Sequence, residues 1–291
     1  RQTGSRGLLR IQDGCDEHCT FCATTLARGS NRSRPGDELV AEAAALAETH
    51  REIVLTGIHI GAYGVDIGTS LSELVEALMS FVPTVRFRLS SLEATEVDDR
   101  LRVLFTDRTH LAQYLHAPLQ SGSDRILKRM GRHWYSAATY AARIESIVAE
   151  RSVFGLGADV ICGFPGESEN DHRATLELVD RLPFTSLHVF RYSPRPGTSA
   201  IRLSSHVRAS DADRRSLELR DLASRKAAAY RSSRAGGLAD VVAITPREGL
   251  TEDYLSVDIS RAAVRRRDRF TARLSEHEGR LTASLLARES A

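Results

Sequence analysis

The sequence lacks the features that mark membrane proteins and secreted proteins. None of its apolar runs reaches the roughly 18 consecutive residues that a transmembrane helix needs, so we predict no membrane segment. Residues 1–10 contain no apolar core of the signal-peptide type. Lysine occurs only at Lys128 and Lys226, and the formal net charge of +2 neither requires nor excludes a nucleic-acid partner. With 291 residues, of which 42% are hydrophobic, the chain is long enough for one large folded domain and a second small one.

Cysteine is also scarce, and its distribution is informative. Three of the four cysteines lie in one short segment, Cys15-Asp-Glu-His-Cys19-Thr-Phe-Cys22, while Cys162 stands alone. A disulfide framework favours an even and dispersed set. Clustered thiols in a cysteine-poor chain indicate metal ligation in a reducing compartment, and we therefore expect a cytoplasmic protein. Cys162 lies in an apolar stretch and is predicted to be a small buried core residue.

Short apolar runs alternate with helical patterns over residues 8–230. Strands are predicted at residues 8–12, 53–57, 85–90, 111–116, 158–162 and 187–192. Helices are predicted at residues 37–48, 98–105, 136–150, 167–181 and 211–230, and one more begins at Ser70 with a capping box that includes Glu73. Parallel strands need long crossover connections, and a complete eight-unit barrel takes about 250 residues. Six such units predict an α/β fold, a partial (β/α)6 barrel with functional groups at the carboxyl ends of its strands.

The pattern changes after Tyr230. Short strands are predicted at residues 239–244, 254–259, 269–274 and 280–285, which indicates a small antiparallel β-module. We accordingly divide the chain into a core at residues 1–205, a connecting helix at 206–232 and the β-module at 233–291. The module carries a basic run at Arg261, residues 265–267 and Arg269. From the pattern alone, a solvated surface and a nucleic-acid surface explain this run equally well.

The C-x3-C-x2-C spacing narrows the choice of metal. Structural zinc usually takes four protein ligands in two pairs, and here only His18 is near enough in sequence to complete a set. Three thiolates on one loop suit a [4Fe–4S] cubane in which one iron stays open to a ligand with its own amine and carboxylate. A zinc site or an unliganded cysteine loop is the alternative.

A cysteine segment of this kind after the first strand of a β/α series resembles that of the radical S-adenosylmethionine (SAM) superfamily. The resemblance implies that Cys15, Cys19 and Cys22 hold the cluster and that the amine and carboxylate of SAM chelate the open iron. It further implies that the reduced cluster cleaves SAM to a 5′-deoxyadenosyl radical that abstracts a hydrogen atom. The fold implied by the resemblance is the same partial barrel.

Further motifs are similar to those of the methylthiotransferase family, which inserts sulfur and then a methyl group. They are residues 55–64 (LTGIHIGAYG), 88–93 (RLSSLE), 116–123 (HAPLQSGS), 127–130 (LKRM), 163–167 (GFPGE) and 192–198 (YSPRPGT). The first two most resemble the branch that methylthiolates C2 of N6-threonylcarbamoyladenosine beside the tRNA anticodon. The β-module, with residues 249–255, resembles the RNA-binding module called TRAM. The ribosomal-protein methylthiotransferase branch and a truncated, non-catalytic RNA-binding remnant are the alternatives.

Polar residues and glycines at the predicted strand ends are candidates for binding SAM. They are Thr56, Gly57, Ser91, Glu93, Gln120, Ser123, Gly163 and Arg195. Three of them have alternatives: Gly57 as a simple strand-to-loop glycine, Ser123 as a helix cap, and Arg195 as a phosphate contact. Glu167 is predicted to be a first-turn acid of a helix, and His59 a solvated loop residue rather than a substrate contact. Phe21, between two cysteines, either shields the cluster or packs in the core.

Methylthiotransferases of this family carry an additional N-terminal domain that holds a second cluster, and this sequence starts close to its first strand. We therefore expect one cluster here and a second one only in full-length relatives, and we do not expect complete methylthiolation from this chain alone. The partners implied by the resemblance are tRNA and an electron donor such as flavodoxin or ferredoxin. Residues 23–29 lack the Pro-Tyr that the family usually places before Ala-Arg-Gly, so no contact is inferred there.

Overall fold

The computed structural model describes residues 2–149 and 151–288. Its strands are β1 (Gly7–Arg10), β2 (Gln12–Asp13), β3 (Arg32–Ser33), β4 (Glu52–Thr56), β5 (Arg86–Leu89), β6 (Tyr114–His116), β7 (Gly155–Cys162), β8 (Ser186–Arg191), β9 (Leu238–Ala243), β10 (Glu248–Thr251), β11 (Ser256–Asp258), β12 (Arg269–His277) and β13 (Arg280–Arg288). Its α-helices are α1 (Thr24–Arg28), α2 (Gly36–Ala47), α3 (Leu71–Phe81), α4 (Asp99–Leu104), α5 (Asp124–Arg129), α6 (Ala137–Val148), α7 (Glu169–Arg181) and α8 (Ala209–Ser233). Among the described helices, none is both long and apolar enough to cross a membrane. Three predicted segments end outside the described residues. They are the core at residue 1, the helix 136–150 at residue 150, and the module at residues 289–291.

Six strands form the parallel wall of an open barrel. They pair in the orders β1-β4-β5 and β6-β7-β8, and every pair is parallel. Two single parallel bridges, Phe87 to Leu111 and Ser91 to His116, join the two halves between β5 and β6. The strands therefore follow one another in chain order, with helices in the connections between them. This arrangement confirms the predicted partial (β/α)6 barrel.

Apolar side chains fill the space between the strands and the outer helices. Four of the five residues of β4 are buried, because a parallel strand is covered on both faces. Helix α6 buries Tyr140, Ile144 and Ile147 on one face, as its 3.6-residue period predicts. Cys162 is fully buried at the end of β7, as predicted for a small core residue.

The structure confirms Ser70 as the N-cap of α3 but corrects one predicted capping box and one predicted helix start. At α3 the Ser70 hydroxyl accepts the Glu73 N–H, but the Glu73 carboxylate binds Thr69 at 2.6 Å instead of completing a capping box. Helix α7 begins at Glu169 rather than at Glu167, because Ser168 is its N-cap and shares a complete capping box with the third helical residue. Glu167 is therefore not a first-turn acid. Its carboxylate accepts the Gly163 N–H at 2.7 Å and closes the turn after β7.

The C-terminal strands close into a small barrel of their own. Their order is β10-β11-β13-β12-β9, and all neighbours except β11 and β13 are antiparallel. Val241, Phe270 and Leu274 lie in its separate apolar core. The sequence did not predict β10, which has only four residues and includes a glycine. The antiparallel β-module is confirmed, while the domain boundaries remain predictions.

The β-module packs against the amino ends of the barrel strands, opposite the cysteines. Arg86 and Arg88 on β5 are almost completely buried, and both bind the fully buried carboxylate of Glu52 on β4. Arg86 also pairs with Asp240 of the module at 2.7 Å. Burial alone would raise the pKa of Glu52, but the charges of Arg88 and Arg86 outweigh it and lower the pKa to about 2. The buried charges at the bottom of the barrel are thus compensated jointly by both parts of the chain.

Candidate metal centre at the barrel mouth

The three clustered cysteines lie on the loop that leaves the carboxyl end of the first barrel strand. The Cys15 N–H donates to the Gly29 carbonyl at 3.0 Å, and the Cys22 N–H donates to the Cys19 carbonyl at 3.1 Å. The Thr20 N–H donates to the Met130 carbonyl at 2.8 Å, which fastens the loop to the end of α5. All three thiols are free and partly exposed. Three sulfur atoms on one fastened and accessible loop are suited to hold an added metal group.

The buried side chain of Gln12 holds two neighbouring loops together. Its amide donates to Asn31 Oδ1 and to the Gly14 carbonyl, both at 2.6 Å. Its oxygen accepts the backbone N–H groups of Ile58 at 3.0 Å and His59 at 2.9 Å. A Cβ on Gly57 would come within 2.8 Å of that oxygen. Gly57 is therefore required by the approach of Gln12, a contact that sequence reasoning did not find.

His59 lies between a cysteine and a carboxylate. Its Nδ1 is 3.7 Å from Cys15 Sγ, and its Nε2 is 2.6 Å from Glu96 Oε1. Burial alone would lower the pKa of His59, but the hydrogen bonds to Cys15 and Glu96 outweigh it and raise the pKa to about 10. With 14% of its side chain exposed, His59 is not the solvated loop residue that the sequence predicted.

Arg132 lies beside Cys19, as His59 lies beside Cys15. Its Nη1 lies 3.6 Å from Cys19 Sγ, and Nη2 pairs with the Glu93 carboxylate. Its guanidinium also lies 4.8 Å from the ring centroid of Trp134. Burial raises the pKa of the Cys19 thiol to about 11, although the charge of Arg132 acts in the opposite direction. The sequence contains many arginines, so nothing in its local pattern singled out Arg132.

A cavity of about 350 Å³ opens next to these residues, with Cys22 at its edge. Phe21, Gln120, Asp159 and Arg195 are among its lining residues. Gln120 has a positive φ of 62°, a costly conformation for this residue type that is frequent at binding sites. Phe21 also meets Phe164 edge to face at 6.5 Å, so it both packs and borders the cavity.

Two buried carboxylate oxygens near the cysteines, Glu93 Oε2 and Glu96 Oε2, have no hydrogen-bond partner among the described residues. Buried acceptors of this kind indicate that a donor is missing, and an ammonium or hydroxyl group is such a donor. Burial also raises the pKa of Glu93. Three thiols, two unpaired carboxylate oxygens and an adjacent cavity together fit an iron–sulfur cluster and an amine-bearing cofactor such as SAM.

Some of the residues predicted to bind SAM lie at the metal centre or the cavity, and others do not. Glu93, Gln120 and Arg195 lie at the metal centre or line the cavity. Ser91 is exposed and bridges to β6 next to this region. The Thr56 hydroxyl donates to the Leu9 carbonyl at 3.5 Å, and no other hydrogen bond of this hydroxyl is found in the described part of the chain.

Neither Ser123 nor Gly163 is among the residues that line this cavity. The Ser123 hydroxyl donates to Asp171 at 2.6 Å and accepts the Ile126 N–H as the N-cap of α5, which favours the helix-cap alternative. A Cβ on Gly163 would lie 2.7 Å from the side chain of Ala212 on α8. The structure therefore gives both residues packing or capping contacts.

A second polar cluster, which was not predicted, extends from the buried His116 to the exposed His188. His116 Nε2 and His188 Nδ1 each lie 3.1 Å from Asp159 Oδ1. Burial opposes ionisation of Asp159, but the hydrogen bond and charge of His116, with those of His188, lower its pKa. Asp159 therefore presents a carboxylate to the cavity. The three residues come from β6, β7 and β8, so only the pairing of these strands brings them together.

Residues 9–179 match the sequence pattern of the radical SAM superfamily. They cover more than half of the chain, and the chain belongs to this superfamily. Solved radical SAM structures share its fold: the methyltransferase TsrM from Kitasatospora setae (TM-score 0.58, 15% identity, 68% of this chain and 38% of that one) and the coproporphyrinogen III oxidase HemN from Escherichia coli (TM-score 0.57, 14% identity, 77% and 53%). The superfamily implies a [4Fe–4S] cluster and SAM, for which the barrel mouth provides the donor set.

Among curated proteins, the chain is similar to two threonylcarbamoyladenosine tRNA methylthiotransferases named MtaB. The protein from Thermotoga maritima is 40% identical over 205 residues, which are 70% of this chain and 47% of the relative. The protein from Aquifex aeolicus is 35% identical over 255 residues, which are 87% of this chain and 62% of the relative. The chain thus spans less than two thirds of either relative.

Proposed function

We propose that this chain contains the SAM-cleaving core and C-terminal module of a tRNA methylthiotransferase acting on C2 of N6-threonylcarbamoyladenosine. The observation that supports this proposal best is the barrel mouth, where three partly exposed cysteines lie on one loop and Cys22 lines a cavity. Two buried carboxylate oxygens nearby, Glu93 Oε2 and Glu96 Oε2, have no hydrogen-bond partner among the described residues. The similarity to the MtaB proteins supports the choice of substrate.

Each side chain at the mouth has a definite role in this proposal. Cys15, Cys19 and Cys22 ligate the cluster, which together with SAM supplies one-electron cleavage chemistry when bound. Glu93 would accept hydrogen bonds from the SAM amine or ribose, because its buried Oε2 has no partner among the residues that the structure describes. Gln120 and Arg195 contact the cofactor from the cavity wall.

The β-module supports contact with RNA, on a narrower surface than the sequence predicted. Arg267 donates to the carbonyls of Gln2, Gly4 and Thr49, and the buried Arg269 binds Asp240, so both have structural roles. Arg266 is exposed, but its guanidinium also donates to the carbonyls of Thr3 at 2.8 Å and Ile244 at 3.3 Å. Arg261 and Arg265 are exposed as well, and we assign to these two residues the phosphate contacts that position an RNA without reading its sequence.

A groove on the module extends this surface. It has a volume of about 940 Å³ and is lined in part by Arg231, Arg247 and Arg280. Arginine forks are suited to phosphate oxygens. The proposal also includes a cytoplasmic protein, an electron donor such as flavodoxin or ferredoxin, and a second cluster in the longer relatives.

Anaerobic reconstitution tests the core of the proposal. We expect about four irons per chain and dithionite-dependent formation of 5′-deoxyadenosine from SAM. Cys19→Ala should lose the cluster and the cleavage, whereas Cys162→Ala, at a buried core position, should keep both. A colourless protein that retains zinc would contradict the proposal.

Mass spectrometry of tRNA nucleosides tests the substrate. Deletion of the gene should remove the methylthio group from threonylcarbamoyladenosine, and the gene in its natural length should restore it. Unchanged tRNA together with a lost modification on a ribosomal protein would favour the other methylthiotransferase branch. Intact tRNA binding without SAM cleavage would favour a non-catalytic remnant.

A further inference from the structure

The imidazole of His59 is held at both of its nitrogens. Nε2 lies 2.6 Å from Glu96 Oε1, and Nδ1 lies 3.7 Å from Cys15 Sγ, within the range of a hydrogen bond to sulfur. The His59 backbone is fixed as well, since its N–H donates to the buried Gln12 at 2.9 Å. The ring therefore has a defined orientation towards the sulfur.

Both neighbours of the ring are hydrogen-bond acceptors. A carboxylate and a metal-bound thiolate each lack a proton to donate, so the form of His59 that satisfies both carries a hydrogen on each nitrogen. This form is a cation, and the Glu96 carboxylate next to it provides the matching charge. Only 14% of the His59 side chain is exposed, so water competes weakly for either contact.

A hydrogen bond to a cluster thiolate changes the reduction potential of the cluster. One-electron reduction adds negative charge to the cluster and its sulfur ligands. A donor or a cation close to one sulfur stabilises the reduced state more than the oxidised state, and hydrogen bonds to the sulfurs are among the factors that set cluster potentials. Glu96 acts through His59, by holding the ring against Cys15.

We propose that His59, held by Glu96, is a positioning residue that donates a hydrogen bond from Nδ1 to Cys15 Sγ and makes the reduction potential of the cluster less negative. The inference rests on the cluster of the proposed function, and it adds a residue that tunes electron entry. It does not depend on the identity of the RNA substrate.

A potentiometric titration of the anaerobically reconstituted chain, followed by electron paramagnetic resonance, measures this effect. His59→Phe keeps a planar ring but removes both donors. At a fixed potential we expect its ratio of reduced to oxidised cluster to fall about tenfold, which for a one-electron couple is about 59 mV towards more negative values. His59→Gln keeps a donor group, the amide NH2, but loses the cation, and should shift the potential less in the same direction.

The control is His277→Gln, which removes an exposed imidazole on β12 of the β-module and should leave the potential unchanged. A wild-type potential in His59→Phe with full iron content would overturn the inference. If His59→Phe loses iron, His59→Gln decides, and a wild-type potential there would overturn the inference equally. Failure of the unsubstituted chain to bind a cluster would instead refute the proposed function.

Discussion

The buried carboxylate of Glu52 offers the sharpest test of how the barrel and the module stabilise each other. Glu52 is fully buried, and its oxygens bind Arg86 Nη2 at 2.6 Å and Arg88 Nε at 3.0 Å. Glu52→Gln keeps the shape of the side chain but removes its charge. Arg86 and Arg88 would then keep two buried positive charges with less compensation.

Two lines of reasoning give the loss in the free energy of unfolding that Glu52→Gln should cause. Removing one partner of a buried ion pair costs about 3–5 kcal/mol. Independently, the fall in the pKa of Glu52 from 4.5 to about 2 corresponds to about 3 kcal/mol of stability at neutral pH. Since domains have free energies of unfolding of about 5–15 kcal/mol, the substitution should remove a large part of the total.

Urea denaturation at pH 7, followed by circular dichroism, measures this loss. The matched control is Glu38→Gln, because Glu38 is exposed and lies 3.8 Å from Arg34 in a surface ion pair. The control should change stability by less than about 1 kcal/mol. A loss below about 1 kcal/mol for Glu52→Gln would refute the compensation argument.

The same carboxylate predicts a pH dependence. The folded pKa lies below the unfolded one, so its stabilisation is fully present above about pH 4.5 and is lost as the pH falls towards 2. Glu52→Gln should lack this contribution. The two proteins should therefore differ less in stability at pH 3 than at pH 7, and an unchanged difference would contradict the assigned charge state.

Other predictions concern the metal loop and the arginines. Gly14→Ala should lower the iron content after reconstitution, because Gly14 has a φ of 76° and a Cβ there would overlap the Ser30 carbonyl oxygen. Arg265→Ala should weaken tRNA binding and reduce the salt dependence of binding by about one phosphate contact, measured by titration at several salt concentrations. Arg267→Ala should mainly lower the urea midpoint, since its guanidinium holds the Gly4 carbonyl at 3.0 Å.

The local patterns in the sequence predicted most of the fold. The alternation of apolar runs and helical periods predicted six parallel strands, and all six are present. The errors are local ones. The helix expected from Glu167 begins two residues later at a better cap, and β10 has too few residues for a recognisable pattern.

The predicted site was accurate where its members are adjacent in sequence and incomplete where they are not. The cysteine loop could be predicted as a metal-binding site, because the three thiols are close in the chain. Arg132 was missed because its contact with Cys19 depends on how α5 meets the loop. His59 was misjudged because a lone loop histidine gives no sign of the Glu96 that holds it.

The sequence by itself determined the order of the strands, the cysteine spacing and the class of cluster that this spacing suits. These properties depend on the periodicity and spacing of neighbouring residues, which the chain carries locally. Only the tertiary structure decided which polar side chains meet across the barrel. It placed His59 and Arg132 against cysteine sulfurs, and it buried Glu52 beneath the β-module. The physical reason is that the partners of a buried charge or donor depend on which side chains the packing of the apolar elements brings close to it. These partners are distant in sequence, so no local sequence pattern predicts them.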